Sequence, residues 1–170
     1  MCRHEAGFGC PFTQDFQPLA DVRLHGINLH KPPNAFESAA LIQVLLVEDD
    51  PDCASRTLIQ VSGGGDNAFH VEWNDNLQVA LSRLAKPGID VVLLDLGLQG
   101  LSGYGTHLAI TSVVGKTVPV VILTADESSM TRNITIEQGA AEYLVKQRAS
   151  SVEIRQALHQ AIFQSRQSIH

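Results

Sequence analysis

The 170 residues suit one domain of ordinary size with room for an appendage, and a 44% hydrophobic content is enough to bury a core. A formal net charge of −6, with charged residues at 18%, leaves no basic footprint for direct contact with nucleic acid or an anionic membrane surface. The three cysteines are an odd number and the longest apolar runs, "VLLV" and "VVLL", are far short of a membrane span, so a reduced, soluble, cytoplasmic setting is expected rather than a disulfide framework, a signal peptide or a membrane helix.

Residues 1–40 read as an extension with little regular structure. Four of the seven prolines and four of the six phenylalanines fall there, without sustained periodicity. "DVRLHGINL" alternates briefly and allows one short strand or docking segment, but a partly disordered leader fits the composition better. Cys2, His4 and Cys10 match no common zinc spacing and lack a fourth ligand.

From Leu41 the punctuation becomes regular, and residues 41–170 read as one domain. Runs at Val44 to Val47, Phe69 to Trp73, Val91 to Leu94, Val118 to Leu123 and Tyr143 to Val145 predict five strands. After the first, Asp50 caps and Pro51 opens a helix that "SGGG" ends. Leu77, Ala80, Leu81 and Leu84 make one face of a second helix, stopped by Pro87-Gly88. A third helix is expected over Gly103 to Val114, and a fourth from about Glu127 to Gln138 with Gly139 as its stop. The fifth has Ser150 and Glu153 at capping-box spacing, followed by Ile154, Leu158, Ala161, Ile162 and Ser165 on one face. Strict β/α alternation predicts an α/β fold, a doubly wound five-stranded parallel sheet with helices on both faces. Continuously apolar strands agree, since a parallel sheet is buried on both sides.

In such a sheet, ligands bind beyond the carboxyl ends of the strands. The first strand ends in Glu48, Asp49 and Asp50, the third in Asp95, the fourth in Thr124 and the fifth in Lys146. Crowded carboxylates repel unless a cation joins them, and Mg²⁺ suits a site of one or two carboxylates, waters and a phosphate oxygen. Beside such an ion a carboxylate can act as a nucleophile toward phosphorus, while a lysine and a hydroxyl offset the phosphoryl charge.

"LLVEDDP", "DVVLLDLGLQGLSGYG", "VPVVILTA" and "GAAEYLVK" occur in that order, with separations of 46, 29 and 22 residues between Asp49, Asp95, Thr124 and Lys146. From Val44 to about Ser165 the chain resembles a response-regulator receiver domain of two-component signalling. The resemblance implies a flavodoxin-like (βα)5 fold, Asp95 as phosphoacceptor, and Mg²⁺ ligated by Asp49, Asp95 and the backbone carbonyl of Gly97, with Glu48 supporting through water. It also implies Thr124 as switch hydroxyl, Lys146 as phosphoryl partner, Tyr143 as aromatic switch residue, and Asp126 and Gly97 at positions that tune the phosphoryl lifetime. Two residues depart from the family pattern: Gln99 and Gln147 stand where proline is usual.

The expectation is therefore a phosphorylation-activated switch, not an enzyme beyond its own phosphotransfer and autodephosphorylation. Its phosphodonor would be a sensor histidine kinase or histidine phosphotransfer protein. It would signal to a downstream protein through the face made by helix four, strand five and helix five, a face that would also support a homodimer. With little sequence after helix five, a stand-alone receiver or a fragment of a longer regulator is expected. Helix four carries Thr131, Ile134, Thr135 and Ile136, β-branched and mediocre helix formers, so it is suited to moving. The main competitor is a degenerate receiver that binds partners without phosphate; a Mg²⁺-dependent phosphatase would need a second aspartate where Gly97 stands. His159 is expected at the surface, outside any metal site.

Overall fold

The computed structural model describes residues 41–65, 68–99, 103–115 and 117–168. The expectations for residues 1–40, including Cys2, His4 and Cys10, lie outside the described residues. Five strands alternate with five helices: β1 (Ile42–Val47), α1 (Pro51–Ser62), β2 (Phe69–Asn74), α2 (Leu77–Leu84), β3 (Val91–Leu94), α3 (Gly103–Val114), β4 (Val120–Thr124), α4 (Ser129–Glu137), β5 (Glu142–Val145) and α5 (Ser151–Gln167). All pairings are parallel, in the order β2-β1-β3-β4-β5, so strand order reverses between β1 and β3. Among the described residues no helix is long and apolar enough to cross a membrane.

Period-two alternation sends each strand's side chains into two cores. Val44, Leu46, Val91, Leu93, Val121 and Leu123 pack with Ala54 and Val61 of α1 and with Ile154, Leu158 and Ala161 of α5. Leu45, Val47, Val92, Leu94, Val120 and Ile122 pack on the other face with Ala80 of α2 and with Ile110 and Val114 of α3. Each such Val, Leu or Ile side chain contributes about 1.5–3 kcal/mol when withdrawn from water. Register then does the positioning: Val47 lies opposite both Asn74 and Leu94, and Thr124 lies opposite Val145, so the residues that follow β1, β3 and β5 reach one edge together with Thr124.

Element boundaries follow local chemistry. Asp50 Oδ1 accepts from the Cys53 amide at 2.7 Å, with Pro51 at the first helical position, and Ser150 with Glu153 forms a full capping box. Several ends differ from expectation: β1 begins two residues early, at Ile42, and β2, β4 and β5 each shift by a residue at one end. β4 starts at Val120 rather than Val118, because Pro119 has no N–H to give to a ladder. α4 starts at Ser129 rather than Glu127, because Ser128 is the cap and its hydroxyl accepts from the Thr131 amide. Gly139, at φ +96°, ends α4 as expected, in a backbone region that side chains avoid.

One residue of α3 is unusual. His107 is fully buried, neither ring nitrogen has a hydrogen-bond partner, and the neighbouring Thr106 Oγ1 has none either. Burial holds the imidazole below its ordinary pKa; the Gln138 side chain at the end of α4 works the other way, without a hydrogen bond of normal geometry, and does not offset it. The ring is therefore neutral in the folded protein and takes up a proton on unfolding below about pH 6.5. The linked stability is present above that pH and is lost as pH falls toward the depressed folded value. Denaturant midpoints measured from pH 7.5 to 5.5 should fall more steeply for the wild type than for His107→Leu; parallel curves would show that His107 is not the source.

Candidate functional site

β1 delivers Glu48 to the sheet edge with its backbone fixed on both sides. Its amide donates to the Asn74 carbonyl at 3.1 Å, and its carbonyl accepts from Trp73 Nε1 at 2.8 Å. β3 delivers Asp95, whose amide donates to the Val47 carbonyl at 3.0 Å. β5 delivers Lys146, whose amide donates to the Thr124 carbonyl at 2.8 Å. The ends of β1, β3 and β5 thus fix three charged side chains at one edge before any of them touch.

Glu48 is 1% exposed and Asp95 7% exposed. Lys146 Nζ lies between them, donating to Glu48 Oε2 and, at 2.9 Å, to Asp95 Oδ2. Asp95 Oδ1 accepts from the Gly97 amide at 3.1 Å, and Asp49 Oδ2 accepts from the Gln99 amide at 3.1 Å. A Cβ on Gly97 would sit 3.1 Å from Asp95 Oδ2, so glycine keeps space open beside that oxygen. Gln99 is therefore useful where proline is usual, since proline has no amide hydrogen to donate.

Carboxylate oxygens of Glu48, Asp49 and Asp95 come within 4.8 Å of one another. Three anions face one ammonium, an excess of negative charge in a partly buried place. Burial pushes the Glu48 carboxyl above its ordinary pKa, against the pull of Lys146. Burial also works against the Lys146 charge, but its contacts to Asp95 and Glu48 outweigh it and hold the ammonium above its usual range. The donor set fits Mg²⁺ in its chemistry, being all oxygen and partly open at Asp49, where waters and a phosphate oxygen would complete the coordination.

The remaining site residues from the sequence gather nearby. Thr124, buried at the end of β4, accepts from the Asp126 amide through Oγ1 at 3.3 Å, which leaves its own hydroxyl proton available. Tyr143 is 2% exposed and donates through its hydroxyl to the Asp126 carbonyl at 2.9 Å. Burial, then the Asp126 charge, pushes the phenol up to about 12. Arg132 of α4 lies over the Tyr143 ring at 5.9 Å from its centroid and pairs with Glu142 at 3.4 Å. The aromatic side chain is already inside the fold, braced between the β4–α4 loop and α4. Asp50 stays with its helix, where the Cys53 amide holds its carboxyl below the ordinary range. His159 is exposed, its ring tilted against Phe69 at 4.9 Å, away from these groups.

Arg56 was not anticipated. The acidic cleft extends to about 430 Å³ along α1, where Cys53, Arg56, Thr57 and Gln60 join Gln147 in its lining. The helical spacing of those four residues, i, i+3, i+4 and i+7 from Cys53, was the available signal.

Residues 44–159 match the model of the response regulator receiver domain. Sensory transduction protein RegX3 of Mycobacterium tuberculosis is 32% identical over 106 residues, covering 62% of this chain and 44% of that protein, so the chain spans less than half the length of these relatives. Protein PilH of Pseudomonas aeruginosa is 30% identical over 107 residues, covering 62% of this chain and 86% of PilH. Among solved structures, a response regulator receiver domain from Clostridium thermocellum shares the fold at TM-score 0.66 and 22% identity, over 75% of this chain and 99% of that one. A receiver domain protein from Methanospirillum hungatei does so at TM-score 0.65 and 16% identity, over 76% and 99%. The five parallel strands, the carboxylates and lysine at their ends, and this match across them together mean that the chain belongs to the response regulator receiver domain family of two-component systems.

Proposed function

We propose that this protein is a phosphorylation-activated signalling switch in which Asp95 accepts a phosphoryl group from a sensor histidine kinase or histidine phosphotransfer protein, with Mg²⁺ as cofactor and in a cytoplasmic setting. The observation that carries this reading is the meeting of Asp95 with Glu48, Asp49 and Lys146 at aligned strand ends, with oxygen ligands for a hard cation and an ammonium for a phosphoryl oxygen. A degenerate, phosphate-independent receiver would have no need to retain the full set of Asp49, Asp95, Thr124 and Lys146.

In this reading one Asp95 oxygen attacks phosphorus, the P–N bond of the phosphohistidine breaks, and its electron pair leaves on the imidazole nitrogen. Mg²⁺, held by Asp49, Asp95 and the Gly97 carbonyl with Glu48 behind them, would offset the charge of the transferring group. Lys146 turns from the Asp95 carboxylate to a phosphoryl oxygen, and the Thr124 hydroxyl donates to another. Drawing Thr124 inward pulls on the loop that carries Asp126, whose amide and carbonyl are held by Thr124 and Tyr143. That loop leads directly into α4, so the readout lies on the α4–β5–α5 face, where a downstream protein or a second copy would bind.

Incubation with acetyl phosphate and Mg²⁺ should give a labile phosphate adduct by intact mass in the wild type and none in Asp95→Ala. Asp49→Ala should abolish the Mg²⁺-dependent reaction, while Asp50→Asn, which keeps an acceptor for the cap, should be mild. An adduct that survives Asp95→Ala would refute the assignment. Amide exchange in α4 should slow when a beryllofluoride mimic is bound; unchanged protection there would contradict the proposed readout.

A further inference from the structure

Two of the three clustered carboxylates are held by charge. Glu48 and Asp95 both accept from the Lys146 ammonium, and Asp95 Oδ1 takes the Gly97 amide as well. Asp49 is half-buried and, among the described residues, forms no ion pair within 4.0 Å. Its carboxylate has one hydrogen-bond partner among those residues: the backbone amide of Gln99, 50 positions along the chain, which reaches Oδ2 at 3.1 Å.

The donor is itself fixed. After β3 the chain alternates: Leu96 and Leu98 are 4% and 5% exposed and pack into the core with Val47, Leu94 and Ile110, while Gly97 and Gln99 face outward. Gly103 stands tight against the first of these anchors, since a Cβ there would lie 3.1 Å from Leu96 Cβ. Two buried leucines thus set the path of the loop, and the amides of the residues that follow each of them meet Asp95 and Asp49 in turn.

We propose that the Gln99 amide is a positioning group for metal binding: it holds the Asp49 carboxylate in place, within 4.8 Å of the Glu48 and Asp95 oxygens, before an ion arrives. This rests on the proposed Mg²⁺ site. Mg²⁺ demands near-ideal ligand geometry, so a ligand that must first be ordered costs affinity. Water would donate to a free Asp49 as well, so what the amide adds is orientation, not charge. Groups that orient a ligand without touching the metal govern its affinity by about ten- to a hundred-fold. The exposed Gln99 side chain has no part in this; the residue acts by not being proline, which has no hydrogen to donate.

The experiment measures Mg²⁺ affinity without any phosphodonor, through the fluorescence of Trp73, the chain's only tryptophan, whose indole donates to the Glu48 carbonyl. It compares the wild type with Gln99→Ala, which keeps the amide, with Gln99→Pro, and with a semisynthetic protein carrying a backbone ester at position 99. The ester removes the hydrogen without the proline ring, so it decides the matter where Gln99→Pro fails to fold. The Mg²⁺ dissociation constant should rise about ten-fold in the ester and proline forms and stay within about two-fold of wild type in Gln99→Ala. Phosphorylation by acetyl phosphate should then need about ten-fold more Mg²⁺ to reach half its maximum, and recover once the metal saturates. A loop that had merely come apart would not be restored by metal. Unchanged affinity without the amide, an equal loss in Gln99→Ala, or a defect that saturating Mg²⁺ does not repair would each overturn the positioning role. If the wild type itself binds no Mg²⁺, the metal reading fails and the positioning role fails with it.

Discussion

The site depends on one ion-paired arrangement: the Lys146 ammonium held between Glu48 and Asp95 at the carboxyl edge of the sheet. It arises from backbone register, not from the side chains themselves. The Asp95 amide is bonded to Val47 and the Lys146 amide to Thr124, so slipping any of these strands by one residue would turn the charge into the core. Two carboxylates share one ammonium and Asp49 stands half-buried beside them, which leaves the edge negative and open. In the proposed switch that residual charge is what would favour a divalent cation, and the shared lysine is the group that would meet an incoming phosphoryl oxygen.

The same edge connects the site to the surface. Thr124 ends β4 and accepts from the Asp126 amide, Tyr143 bonds the Asp126 carbonyl, and Arg132 of α4 covers the Tyr143 ring. A displacement of the Thr124 hydroxyl therefore bears on the first residues after β4, and α4 is built from residues that make a helix only weakly. In the proposed switch Tyr143, already inside the fold, would stay in place while the loop and α4 move.

Much of this was legible in the sequence because parallel strands buried on both faces must be continuously apolar, which made "VLLV" and "VVLL" recognisable. Their ends then pointed to Glu48, Asp49 and Asp95, and the ends of the fourth and fifth strands to Thr124 and Lys146. Boundaries were less legible where two signals competed. Pro119 sits in a run that reads as strand but cannot donate to the ladder, and two residues between β4 and α4, Asp126 and Ser128, are of types that can cap a helix. Asp126 Oδ1 takes the Ser128 amide, which leaves Ser128 to cap. The burial of His107 depends on how α3 packs, which no local pattern records. Arg56 reaches the cleft from a helix wall, which no strand-end signal marks.

The most direct test of the account is chemical trapping of the modified residue. After reaction with a phosphodonor and Mg²⁺, borohydride reduces an aspartyl phosphate to homoserine, and peptide mass spectrometry locates it. The account predicts homoserine at position 95 and nowhere else; reduction at another carboxylate, or none at all, would contradict it.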